Sequence, residues 1–127
     1  MIKTAEDAML NRAQLIHAAA LPAACPPKHR RTDGRAVINR KTVGTEQIEL
    51  HLVDIFPGGE GEEDVHPDCD HGFFILQGKG EATVEEERFL LEPNDCLYIP
   101  RGARHSVRPL DDQTLRMIVF MAPHRQA

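Results

Sequence analysis

The chain has 127 residues, which is room for one domain of ordinary size. Its 20 acidic and 15 basic residues give a net charge of -5, which argues against nucleic-acid binding, and its 41% hydrophobic content argues against a disordered chain. No apolar run approaches the roughly 18 residues of a membrane span, and three Cys, an odd number, predict reduced thiols in the cytoplasm rather than a disulfide framework.

Residues 1–34 are predicted to form a short helix followed by a proline-rich linker. Thr4 is a suitable N-cap, and a stretch rich in Ala and Leu extends the helix to Leu21, where Pro22 ends it. Two further prolines and a basic run predict no regular structure over 22–34. The helix has a poorly defined apolar face, so we expect it to cover the protein body or a partner subunit in a homodimer.

Residues 35–127 are predicted to form a single all-β domain. Short segments rich in strand-forming residues alternate with Gly, Pro and acidic turns, a pattern typical of a β-sandwich or β-barrel. The segments 80–84 and 88–91 predict a hairpin that turns at three consecutive Glu residues. The other predicted strands are 36–43, 47–56 (closed by Pro57-Gly58-Gly59), 73–77, 96–99, 105–108 and 115–121.

Two segments of this domain carry metal-binding residue types. One runs from Pro57 to Gly78 and the other from Pro93 to His105. Neutral imidazole suits Zn, Cu, Fe and Ni, and carboxylate oxygen adds Mn. We therefore predict one metal site whose ligands are His66, His71 and His105. Asp68 or Asp70 is predicted as a fourth ligand, and the other Asp as an acceptor that orients an imidazole. The remaining histidines near the termini, His17, His29 and His124, are predicted to be solvated.

These two segments resemble the paired motifs of the cupin superfamily, over about residues 43–121. The Pro100-x-Gly102-x-x-His105 run fits the second motif, although Pro109 replaces its closing Asn. The first motif is shortened: Asp68 stands where the family has its second His, and His71 where it has Glu. The resemblance implies a double-stranded β-helix, or jelly-roll, barrel that holds one divalent metal ion: Fe, Zn, Mn or Ni.

The resemblance also implies several functions, because one fold hosts many chemistries. Three imidazoles without the usual Glu favour Fe(II) and a dioxygenase acting on a small anionic or hydroxylated molecule. A metal-dependent lyase or isomerase and a non-enzymatic small-molecule-binding or sensor protein remain as alternatives. Arg101 and Arg104 flank His105 and are predicted to bind a substrate carboxylate if they reach the barrel mouth.

Overall fold

The computed structural model describes residues 12–126, and eight antiparallel strands dominate it. The sheet order is β5-β4-β7-β2-β8-β3-β6, with β1 paired to β2. The sheet curls into a jelly-roll barrel, which confirms the predicted all-β fold. The strands are β1 (His29–Ile38), β2 (Glu49–Asp64), β3 (Asp70–Gln77), β4 (Gly80–Val84), β5 (Glu87–Leu91), β6 (Cys96–Ile99), β7 (His105–Pro109) and β8 (Leu115–Ala122).

The predicted N-terminal helix is wrong where the structure describes it. Residues 1–11 lie outside the described part of the chain, and residues 12–21 contain only a 3-10 turn at Ala18–Ala20, with no buried residue. A single turn next to Pro22 has no packed face to offset the cost of helix nucleation. The linker prediction is also too long, because β1 begins at His29 and the predicted boundary after residue 34 falls inside that strand.

Pro57-Gly58-Gly59 does not end β2, as the sequence suggested, but bends it. The β1–β2 register jumps from Thr32–Ile55 to Arg30–Glu60, so the residues between form a bulge. A Cβ at Gly59 would lie 2.6 Å from the carbonyl oxygen of Arg30, which is why the bend needs glycine there. The first half of β2 pairs with β8 and the second half with β7, so this bend carries one strand across two walls of the barrel.

A short helix, α1 (Arg40–Val43), replaces the end of the predicted strand 36–43. The Asn39 side chain accepts hydrogen bonds from the backbone N–H groups of Lys41 and Thr42, and the Thr42 hydroxyl accepts from the backbone N–H of Asn39. This reciprocal capping box starts the helix, and Gly44 ends it in the left-handed conformation at φ 83°. The local capping chemistry therefore outweighs the β-propensity of Val43.

The core lies between the curled walls and is built from alternate strand residues. Ile55, Ile75, Ile99 and Leu115 are fully buried and point inward from β2, β3, β6 and β8. Two titratable residues share this inward face: Glu49 on β2 and His71 on β3 are each only 2% exposed. The interior of the barrel therefore combines a packed apolar core with buried titratable groups.

Candidate metal centre

Three elements bring His66, His71 and His105 together inside the barrel. His71 lies on β3, paired with Ile99 of β6 and Met121 of β8. His105 opens β7 on the opposite wall, paired with Asp64 of β2. His66 lies in the loop between β2 and β3. The fold thus brings together residues from two walls of the barrel and from one loop.

The turn at Pro100–Ala103 ties the loop of His66 to the start of β7. The backbone N–H of Gly102 donates to the carbonyl oxygen of His66 at 3.0 Å, and that of Ala103 donates to Pro100 at 3.2 Å. Gly102 takes a positive φ of 82°, which suits glycine. The Pro-x-Gly-x-x-His spacing therefore fixes His105 and His66 through one turn.

One potential ligand atom from each of the three imidazoles lies within 4.8 Å of the others. Their ring centroids are 4.7 Å apart for His66–His71, 5.1 Å for His66–His105 and 4.5 Å for His71–His105. Three nitrogen ligands about 2.1 Å from a common tetrahedral centre lie roughly 3.4 Å apart, with their ring centroids roughly 5 Å apart. The spacing therefore fits a single ion between the rings.

Unpartnered nitrogen atoms also fit a metal. Nδ1 of His66 and both ring nitrogens of His71 are buried without a hydrogen-bond partner among the described residues. A buried polar atom without a partner is costly, and an unoccupied lone pair in a cluster is what a metal requires. Nδ1 of His105 donates to the carbonyl oxygen of Ala103 at 3.1 Å, which leaves the lone pair of its Nε2 for ligation.

The surroundings keep the imidazoles of His66 and His71 neutral. Burial, with the neighbouring His105 and His66, lowers the pKa of His71 from 6.5 to about 3. Burial also lowers the pKa of His66, and His105 adds to the effect. Since neutral imidazole is the ligating form, His66 and His71 can bind a cation at neutral pH without releasing protons.

The structure does not bring the predicted acidic ligands into this cluster. Asp68 is exposed, and Asp70 points outward, where its Oδ1 accepts hydrogen bonds from the backbone N and Nε of Arg101 at 3.1 and 3.2 Å. The shortened loop turns both side chains away from the imidazoles. The nearest carboxylate is instead Asp64, whose Oδ2 lies 3.8 Å from Nε2 of His66.

The predicted substrate-binding arginines are also directed away from the barrel interior. Arg101 pairs with Asp70, and Arg104 pairs with Glu85 at 3.1 Å; all four side chains are largely exposed. The cavity that contains the three histidines has a volume of about 540 Å³, and neither arginine lines it. Both arginines flank His105 in the sequence, but the turn before β7 points them outward.

Arg125, which no sequence motif indicated, does line the cavity. Its Nε and Nη2 each donate to the buried carboxylate of Glu49 at 3.0 Å, and its backbone N–H donates to the same carboxylate at 2.8 Å. Nε2 of His51 contacts Glu49 from the other side at 3.0 Å. His124 is only 8% exposed, so its predicted solvation is wrong. His29, also predicted to be solvated, lines the cavity.

Acid should destabilise the fold through Glu49. Burial raises the pKa of Glu49, but hydrogen bonds from Arg125 and His51 outweigh burial and lower the pKa from 4.5 to about 2. A carboxyl whose folded pKa is depressed contributes stability above its unfolded pKa, and this contribution is lost as the pH falls from about 4.5 towards 2.

Urea denaturation at several pH values tests this expectation. We expect Glu49→Gln to lower the free energy of unfolding at pH 7 by about 2–3 kcal/mol and to flatten its decline below pH 4.5. Asp68→Asn is the control for general acid effects, because that side chain is exposed. An unchanged acid profile in Glu49→Gln would show that this carboxylate does not stabilise the fold through its ionised form.

The curled sheet and the converging imidazoles define a small jelly-roll barrel with a candidate metal centre. The family model described as "Cupin domain" matches residues 51–121, a range that includes all three histidines. The chain belongs to this cupin family.

Two proteins of named activity are similar to parts of this chain. The chain is 34% identical over 84 residues to quercetin 2,3-dioxygenase of Bacillus subtilis, covering 64% of this chain and 25% of the relative. It is 29% identical over 98 residues to polyketide synthase CurC of Streptomyces cyaneus, covering 77% of this chain and 64% of the relative. The chain thus spans less than two thirds of each of these relatives.

A solved structure supports the fold. The polyketide cyclase RemF from Streptomyces resistomycificus aligns with a TM-score of 0.78 and 21% identity, covering 91% of this chain and 83% of that one. At this identity the likeness concerns the fold alone. Among the described residues, no helix is both long and apolar enough to cross a membrane.

Proposed function

We propose that the protein is a metal-dependent enzyme of the dioxygenase type that acts on a small anionic or hydroxylated molecule. The observation that carries the proposal is the convergence of three imidazoles in a cavity of about 540 Å³, where His66 and His71 have buried nitrogens without a partner among the described residues. Among the described residues this cluster contains no carboxylate. A divalent ion held there keeps its full charge and attracts anionic oxygen ligands.

The residues of the chain have separate tasks in this proposal. His66, His71 and His105 hold the ion, and the hydrogen bond from His105 to Ala103 fixes which nitrogen faces it. Apolar walls that include Phe73 limit access of water to the ligand. When bound, the metal supplies Lewis acidity towards a substrate oxygen and, as Fe(II), one-electron reactivity towards O2.

The named relatives support the dioxygenase type without fixing a substrate. One of them is a quercetin 2,3-dioxygenase, and the stretch matched in this chain is 84 residues long. Imidazole-rich donor sets suit Fe, Ni and Zn alike, so Zn and Ni are candidates beside Fe, whereas Mn would need oxygen ligands from water or a bound anion.

Oxygen consumption tests the proposal. Protein loaded separately with Fe(II), Ni(II), Mn(II) and Zn(II) is incubated with quercetin and with a panel of small hydroxy acids. We expect substrate loss matched by O2 uptake with at least one metal, and we expect His71→Ala to abolish it. Asp68→Ala is the matched control and should keep the wild-type rate.

Other results of this experiment would support one of the alternative functions instead. Substrate loss without O2 uptake would contradict dioxygenase chemistry and indicate a lyase or isomerase. Binding without turnover of any compound would indicate a sensor or binding protein.

We also propose that the protein is a homodimer, formed through the outer face of β2, β8, β3 and β6. Two rows of apolar side chains cross this face: one passes through Leu50, Phe120 and Tyr98, and the other through Leu52, Ile118 and Phe74. Phe120 is 38% exposed and Tyr98 is 62% exposed.

A second copy suits this face because the nearby charges are already paired. Asp54 lies between Arg35 and Arg116, with oxygen–nitrogen distances of 3.9 and 3.7 Å. A two-fold interface brings a patch against itself, so an apolar patch with neutralised charges avoids like-charge repulsion.

Light scattering tests the dimer. Wild-type protein at micromolar concentration should have twice the 14.2 kDa mass of one chain. Phe120→Glu should shift it to the monomer, because the new charge would be buried twice in the interface. Leu90→Glu is the control, since Leu90 is 73% exposed on β5. A monomeric wild type would contradict the proposal.

We propose a cytoplasmic location as well. Cys25, Cys69 and Cys96 are all free thiols, and a reducing compartment keeps thiols in this state.

A further inference from the structure

Arg125 stands at the cavity wall with its orientation fixed. Its two side-chain hydrogen bonds to Glu49 form a parallel pair, and the backbone N–H of the same residue adds a third bond. The carboxylate of Glu49 is 2% exposed, whereas the side chain of Arg125 is 39% exposed. The buried acid therefore anchors an arginine that still faces open space.

This anchoring leaves part of the guanidinium free for another partner. An arginine side chain carries five N–H donors in a planar fork, and the pairing with Glu49 uses two of them. The three remaining donors match the planar geometry of a carboxylate, which binds arginine through charge-assisted hydrogen bonds. Holding the side chain in advance lowers the entropy cost of binding such a group.

Arg125 and the three histidines share one cavity. The lining includes His66, His71 and His105 together with Arg125 and Lys41. Arg125 therefore opens onto the same space as the proposed metal position.

Lys41 adds a second positive charge at the same cavity. It follows the N-cap of α1, and its side chain is exposed. The acidic residues that line the cavity, Glu62 and Asp64, lie instead at the end of β2 that pairs with β7. The cations thus come from α1 and the C-terminal segment, and the acidic residues come from β2.

We propose that Arg125 is the specificity-determining residue of this cavity and binds a carboxylate of a ligand whose second oxygen group reaches the three-histidine centre. Glu49 is its positioning residue. The inference rests on the proposed function and deepens it, since it narrows the ligand to a small molecule with two oxygen-bearing groups, one of them a carboxylate.

Calorimetry with matched ligands tests the inference. The probes are succinate and glutarate, each compared with its monoamide, which has the same length and one carboxylate fewer. Each is titrated into wild-type protein in the Zn(II)-loaded and metal-free states. For at least one pair we expect the dicarboxylate to bind at least about tenfold more tightly, because a charge-assisted arginine pair discriminates by this amount or more.

The variants separate anion binding from folding. Arg125→Gln alone leaves the buried Glu49 without its partner, so the double variant Glu49→Gln/Arg125→Gln, which keeps two neutral hydrogen-bonding amides, is used beside it. We expect the double variant to reduce the preference for each dicarboxylate over its monoamide to within about twofold. Arg125→Lys keeps the charge without the fork and should retain part of the preference. Arg101→Gln, outside the cavity, should retain all of it.

The outcomes distinguish this inference from the proposed function. Wild-type protein that holds zinc but binds each dicarboxylate and its monoamide equally would overturn the inference, as would a double variant with the wild-type preference. Wild-type protein that takes up no zinc would overturn the proposed metal centre. In that case the metal-free titrations decide: succinate or glutarate binding that depends on Arg125 supports the carboxylate site, and its absence overturns it.

Discussion

Replacing His105 with Ala should remove the metal from the protein. His105 is one of three imidazoles in the cluster, is 7% exposed, and has its ring orientation fixed by Ala103. Removing one of three protein ligands should weaken metal affinity by more than the 10–100-fold loss expected for an outer partner, so about a hundredfold or greater. Elemental analysis after purification without chelators should give about one metal per wild-type chain and under about a tenth in the variant.

Asp70→Ala serves as the control for this experiment. Its carboxylate contacts Arg101 outside the cluster, so the variant should keep the wild-type metal content. Metal should also raise the melting temperature of wild-type protein and of Asp70→Ala, because a metal that binds only the folded state stabilises that state. It should not raise the melting temperature of His105→Ala, which lacks the site. A His105→Ala protein with full metal content would show that the three-histidine site is wrong.

Gly78→Ala should destabilise the protein far more than Gly102→Ala, although both glycines adopt φ 82°. A Cβ at Gly78 would overlap the backbone carbonyl of Thr114, which cannot move without shifting the start of β8, whereas a Cβ at Gly102 meets nothing within 4 Å. The backbone strain of Ala at this φ is of order 1 kcal/mol and common to both. Steric overlap adds to it at Gly78, so we expect a loss of about 3 kcal/mol or more there and about 1 kcal/mol at Gly102.

Chemical denaturation measures both variants against wild type. The difference between them isolates the steric contribution, because the conformational cost cancels. Equal losses at the two positions would mean that the β3–β4 turn and the start of β8 adjust freely, which contradicts the close packing described above.

The strands were predictable where alternation and turn residues agree. Segments 80–84 and 96–99 match β4 and β6 end to end, because each lies between glycine, proline or acidic turns. The predictions failed where another force decided the outcome. The capping box at Asn39 produced α1 in place of a strand end, and the β1–β2 pairing carried a strand through Pro57-Gly58-Gly59.

The candidate site was predictable only in its motif residues. The His66, His71 and His105 cluster follows from spacing within two segments that the fold joins. Arg125 and Glu49 are 76 residues apart and come together only because the C-terminal segment folds back onto the start of β2. No local sequence pattern predicts that these two residues pair. The alternation on β2 does place Glu49 on the same inward face as Val53 and Ile55, and this unusual position was the available signal.

X-ray absorption spectroscopy of the metal-loaded protein tests the central claim most directly. Zinc-loaded wild type should show three imidazole nitrogens at about 2.0–2.1 Å, with remaining oxygen ligands from water or a bound anion. His71→Ala should lose one of these imidazole contributions or bind no metal. A spectrum with thiolate sulfur, or with one imidazole or none in the coordination shell, would contradict a metal centre built from His66, His71 and His105.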